Sequence, residues 1–216
     1  MFKYFILISL IVLLKSNLYA NDYFTALDYF NKKKTEESLV YFKKVADDEN
    51  HEKRSDAMFN IALIYDNGFG TQADKTRALY FYEAASQLSN KFALFNLAWM
   101  YYNGENVNKD VMKAFDLYKL SSEFGHPRAM YNLANMFYSG TGTVKDLKMA
   151  YKMFLKARMN GIGESDHFIK EISKNLKPEE LSLLNKEFDS LIEKKFQINS
   201  KLKSIEEKSL FYDELV

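Results

Sequence analysis

From Asp56 onward, apolar and polar positions alternate with the period of a helix. Ala57, Ile61, Ala62 and Tyr65 fall on one face of a helix. A polar stretch containing Gly68 and Gly70 interrupts the pattern, and Ala78, Tyr82 and Ala85 resume it. This predicts two helices joined by a tight turn. Glycine reaches the positive φ that ends a helix, so Gly68 marks the stop. Asp74, just before the second segment, is placed to cap free amides.

The whole figure returns twice. Windows starting at Asp56, Phe92 and Arg128 stand 36 residues apart with no insertion. Ala57, Ala93 and Ala129 share a slot, as do Ala62, Ala98 and Ala134, and Ala78, Ala114 and Ala150. So do Gly68, Gly104 and Gly140, and Asp74, Asp110 and Asp146. Tyr65, Tyr101 and Phe137 hold the aromatic slot of the first helix; Tyr82, Tyr118 and Phe154 hold that of the second. Gly70 and Gly142 correspond to Asn106, the non-glycine residue that best tolerates a left-handed backbone. Asn60, Asn96 and Asn132 also recur; their amides are expected to tie neighbouring turns together, the alternative being contact with a ligand's backbone. An alanine lets two helices approach closely, and a large aromatic beside it fills the junction with the next pair. Stacked hairpins of this kind predict an all-α fold, an α/α superhelical solenoid of helix-turn-helix repeats.

The flanks carry weaker versions of the pattern. Residues 21–50 read as a degenerate N-terminal helical pair, with Ser38 and Phe42 in the slots of Ala78 and Tyr82. Repeats are placed at 56–91, 92–127 and 128–161. Residues 165–198 read as C-terminal capping helices, the last over about 178–197, with Leu181, Leu184, Phe188 and Ile192 as its stripe. Residues 199–216 form a Lys- and Glu-rich tail.

The second unit, with its Ala-x-x-Asn-Leu-Ala start, Tyr101, Gly104, Val107, Asp110, Ala114 and Tyr118, resembles the Sel1-like repeat, a relative of the tetratricopeptide repeat. Thr71 and Thr143 depart from the valine held by Val107, and Met149 departs from the basic residue held by Arg77 and Lys113. The resemblance implies an α/α solenoid whose usual work is protein–protein interaction, often in envelope or secreted bacterial proteins. It also implies that first helices line the concave side. Projected on this chain, that face holds Phe59, Phe95 and Tyr131, then Leu63, Trp99 and Asn135, then Asp66, Tyr102 and Tyr138. Phe59, Leu63, Phe95, Trp99, Tyr102, Tyr131, Asn135 and Tyr138 are the expected protein-binding residues. The row of Phe59, Phe95 and Tyr131 also suits core packing.

Composition narrows the rest. Residues 1–20 have Lys3, an apolar run from Phe5 to Leu14, and Ala20 at the end of Ser-Asn-Leu-Tyr-Ala, which predicts a cleaved secretory signal peptide. An uncleaved anchor through residues 4–14 is the alternative. Removing Lys3 and Lys15 with this leader leaves 28 basic against 29 acidic residues, so nothing recommends nucleic acid as a partner. There is no cysteine, hence no disulfide and no thiolate metal site. Some cysteine-rich members of the family are described as β-lactamase-like or penicillin-binding, and their cysteine pairs are missing here. Ser200 to Lys203 fits a serine-x-x-lysine pattern, but near the tail and without the companion motifs. His51, His126 and His167 form no metal motif. The expectation is a non-enzymatic, cofactor-free interaction module, periplasmic or extracellular, a monomer or weak homo-oligomer without stable membrane insertion. Its partner would be a protein or peptide. The alternatives are a secreted effector acting on host proteins and a peptidoglycan-related hydrolase.

Overall fold

The computed structural model describes residues 22–213; the predicted leader and residues 214–216 lie outside them. The described chain is helical throughout: α1 (22–31), α2 (Thr35–Asp47), α3 (Arg54–Asn67), α4 (Lys75–Gln87), α5 (Lys91–Asn103), α6 (Val111–Glu123), α7 (Pro127–Ser139), α8 (Leu147–Met159), α9 (Ser165–Ser173) and α10 (Pro178–Asp213). Each of α2 to α8 packs on the next and α10 lies on α8, so the described chain is a stack of hairpins. No described helix is long and apolar enough to cross a membrane.

The repeated residues close each hairpin in the same way. Gly68, Gly104 and Gly140 are left-handed, and each amide returns to the carbonyl four residues back. The aspartate of the second helix is used at both ends. The amides of Asp74, Asp110 and Asp146 donate to the carbonyls of Tyr65, Tyr101 and Phe137 at 2.8–2.9 Å. Their carboxylates accept from the first-turn amides of α4, α6 and α8. One residue type thus caps a helix and pins it to its partner, which is why it keeps register with the aromatic slot.

The nine repeat alanines named above are all 0 % exposed. Tyr82, Tyr118 and Phe154 fill the space beside them and are also buried. Arg77 lies over the ring of Tyr65 and Lys113 over that of Tyr101, at 5.3 and 3.9 Å from the centroids. A cation over an aromatic face explains the basic residue in this slot. In the third unit the ring is Phe137, and Met149 shares an apolar hollow with it.

The ends follow the pattern further than their sequences suggest. Ser38 and Phe42 are buried in α2, with Ser38 Oγ donating to the Ala26 carbonyl. Helix α9 stands where the first helix of a fourth unit belongs. Its Ser165, 36 residues after Ala129, is fully buried in the alanine slot. Helix α10 covers α8 with Leu184 and Phe188, flanked by Lys148–Glu180 and Lys152–Glu187 ion pairs, both at 2.6 Å. The helix expected over about 178–197 runs on to Asp213, through most of the segment read as a tail; Ile192 is 42 % exposed rather than part of the packed stripe.

Candidate ligand-binding groove

Between the second and third units lies a hollow of about 490 Å³. Trp99 and Tyr102 of α5 form one wall and Tyr138 of α7 the other; Tyr118, Asn132 and Asn135 line it between them. No charged side chain lines it. Trp99 is 46 % exposed and Tyr102 36 %, so two large aromatic side chains meet solvent here.

The hollow exists because one slot changes character along the stack. In the first unit that slot is Asp66. It accepts from Lys75 Nζ at 2.7 Å and from the Tyr82 hydroxyl at 3.1 Å, and Lys75 also reaches Glu105 of the next unit at 3.6 Å. That knot fills the joint between the first and second units. In the second unit the slot is Tyr102, which carries no carboxylate for the Tyr118 hydroxyl to meet. That hydroxyl stays at the hollow beside the amide of Asn132. Burial pushes the Tyr118 phenol up to about 12, against a smaller opposing effect of Asn132. It is a neutral donor at any physiological pH.

The tyrosine–asparagine couple recurs. Asn96 faces the Tyr82 hydroxyl as Asn132 faces that of Tyr118. For Asn60 the corresponding slot holds Phe42, which has no hydroxyl, and Asn60 instead donates to Tyr23 Oη at 3.2 Å. These asparagines tie each unit to the one before.

The expected site residues divide. Trp99, Tyr102, Asn135 and Tyr138 come together at the hollow; Phe59, Leu63, Phe95 and Tyr131 do not line it. Phe59 packs between Tyr82 and Phe92, and Tyr131 meets Phe154 and Phe168. Phe95 stacks on His126, centroids 4.4 Å apart. His126 caps α7, its Nδ1 accepting from the Ala129 amide at 3.2 Å. Burial, reinforced by Lys91 and Arg128, lowers its pKa to about 4. Asn103, Tyr118, Met136, Ser139 and Thr141 line the hollow without having been expected there, and so does Asn132, for which ligand contact was the alternative to a structural tie. The signal for Tyr118 and Asn132 was present in their period, but it read as structural. At the rim, Lys109 lies over Tyr102 and Lys145 over Tyr138, whose hydroxyl donates to Glu171 of α9.

A second, more apolar hollow of about 450 Å³ lies between α6 and α8, with Met130, Met149, Met153 and Met159 in its lining. Among the described residues no group of three or more His, Asp or Glu is placed to hold a metal ion.

The Sel1 repeat model matches residues 55–90, 91–126 and 127–162. The fold is similar to that of a Sel1 repeat protein from Oxalobacter formigenes (TM-score 0.62, 24 % identity, covering 68 % of this chain and 59 % of that one). It is also similar to a protective antigen present in uropathogenic Escherichia coli strains, displaying an SLR fold (TM-score 0.61, 23 % identity, covering 68 % of this chain and 32 % of that one). The chain thus spans less than two thirds of either structure. No curated protein matches it.

Proposed function

We propose, from the premise that this chain belongs to the Sel1 repeat family, that it is a non-catalytic binding module whose groove takes an uncharged stretch of peptide or a partner's loop. The observation that carries this is the pairing of exposed Trp99 and Tyr102 with a lining of neutral hydrogen-bonding groups, Tyr118, Asn132 and Asn135. Trp and Tyr supply large, stiff contact surfaces and dominate binding hot spots. Side-chain amides and a neutral phenol match the donors and acceptors of a peptide backbone. A volume of about 490 Å³ accommodates a few residues rather than a whole helix. The leader-like first 20 residues favour a setting in the envelope or outside the cell.

The test is a crosslinking pull-down from envelope and medium fractions, with wild type beside Trp99→Ala/Tyr102→Ala and circular dichroism on both. A partner captured by wild type and lost by the folded double variant supports the groove. A partner retained by the double variant puts the binding surface elsewhere.

A further inference from the structure

Met149 breaks the repeat, since the other units hold Arg77 and Lys113 in its slot. It lines the hollow between α6 and α8, and that hollow is built from such departures. Met159 replaces Gln87 and Glu123, and Met153 replaces Phe81 and Leu117. With Met130 they give the hollow an apolar, thioether-rich wall. Methionine is unbranched and moulds itself to an irregular apolar guest.

The neutral polar groups of the lining are already engaged within the protein. Ser122 Oγ donates to the Lys119 carbonyl at 2.8 Å, and Asn160 Nδ2 donates to the Lys156 carbonyl at 2.8 Å while lying 3.7 Å from Met130 Sδ. The Gly125 amide donates to the Ser122 carbonyl. Among the described residues, the donors left over in the lining are the ammonium groups of Lys119 on α6 and Lys156 on α8, neither of them in an ion pair. Glu123, exposed, is the one acid that lines the hollow among those residues. A peptide entering here would bury carbonyls that find no donor.

We propose that this hollow takes the alkyl chain of a free fatty acid, with its carboxylate held by Lys119 and Lys156. An alkyl chain needs no hydrogen bond along its length, and its single charged end matches the two unpaired cations. A volume of about 450 Å³ is near the lower end for small-molecule sites, roughly 300–1,000 Å³, and suits one chain rather than the two of a membrane lipid. The hollow shares no lining residue with the groove at Trp99, so this site is independent of the peptide site.

Titration calorimetry of the full chain with sodium dodecanoate, below its micellar concentration, tests this. One equivalent binds saturably. Octanoate binds at least tenfold more weakly, because fewer methylenes leave water. Dodecyltrimethylammonium, with the opposite charge, is weaker by a similar factor. Lys119→Glu/Lys156→Ala installs the residue types that the first unit carries at Glu83 and Ala84, and it weakens dodecanoate at least tenfold. Met159→Glu, after Glu123 of the second unit, does the same, and both variants keep the wild-type melt. In methyl-labelled methionine NMR spectra dodecanoate shifts the signals of Met149 and Met153 and leaves that of Met136, at the other hollow, in place. Absence of saturation, equal binding of the cationic amphiphile, or undiminished affinity in either variant overturns the proposal. So does sedimentation of the protein with phosphatidylglycerol vesicles when dodecanoate does not bind.

Discussion

Phe154 and Phe168 stack with centroids 4.6 Å apart and planes 2° from parallel. They occupy the slots that Tyr118 and Asn132 hold one unit earlier and Tyr82 and Asn96 hold two units earlier. A polar couple between units thus gives way to an apolar one at the C-terminal end. Both solutions join neighbouring repeats, so the couple should behave as a unit. Tyr118→Phe alone strands the Asn132 amide and is expected to cost about 1 kcal/mol. Tyr118→Phe with Asn132→Phe recreates the terminal pair. Urea unfolding should show a double variant less destabilised than the sum of its singles. Additive costs would mean that the two residues act independently.

Ser165 sits in the alanine slot, and its Oγ is buried with no hydrogen-bond partner. Ser38 and Ser121, also buried, donate to the carbonyls of Ala26 and Lys91. Ser165→Ala is therefore expected to stabilise the protein by about 1 kcal/mol, and Ser121→Ala to destabilise it by a similar amount. Opposite shifts in melting temperature are the readout.

Gly142 and Gly125 both have positive φ, 73° and 82°. A Cβ on Gly125 meets nothing within 4 Å, whereas one on Gly142 runs into the backbone carbonyl of Val111, where the turn of the third unit rests on α6. Gly125→Ala carries only the conformational penalty, about 1 kcal/mol. Gly142→Ala adds a collision with main chain and should cost about 2–4 kcal/mol. Asn106 holds the equivalent turn position at φ 58° with its side chain in place, so Asn106→Gly should be nearly neutral. Equal losses at 125 and 142 would remove the close approach from the explanation.

His126 gains a proton in the folded state only near pH 4, against 6.5 for the free group. Between these values the unfolded chain holds the proton and the folded chain does not. The stability involved is complete above about pH 6.5 and is lost as pH falls toward 4, on the order of 2 kcal/mol. Asn90, 36 residues earlier, caps α5 in the same way with a group that does not titrate. His126→Asn should flatten the acid limb of the stability profile. Urea midpoints of both proteins at pH 7 and pH 4.5 measure it; parallel limbs would remove His126 as the cause.

Trp99→Ala should change stability by no more than about 0.5 kcal/mol, since Trp99 is 46 % exposed. Truncation of buried Tyr118 to alanine should cost about 3–5 kcal/mol. Thermal melts of the two variants separate a binding residue from a core one.

The hairpin was legible in the sequence because local chemistry repeated in register: a left-handed residue, a capping aspartate, an alanine where helices touch. The groove was legible only in part. Phe95 and Tyr102 lie seven residues apart and share a face of α5, so periodicity treats them alike. They differ in what lies over them. The loop bearing His126 folds back onto Phe95, while Tyr102, two turns on, has an exposed lysine, Lys109, over its ring and stays 36 % exposed. That distinction comes from the neighbouring hairpin, which a helical pattern does not contain. The length of α10 was missed for another reason. Its Lys- and Glu-rich second half reads as solvated tail by composition, although both residues favour helix.

The groove takes its walls from different repeats, Trp99 and Tyr102 from one and Tyr138 from the next. It is therefore a gap at a joint between two hairpins, with α1 to α4 on one side and α8 to α10 on the other. An occupant that changed the angle between those hairpins would move the two ends of the stack relative to one another.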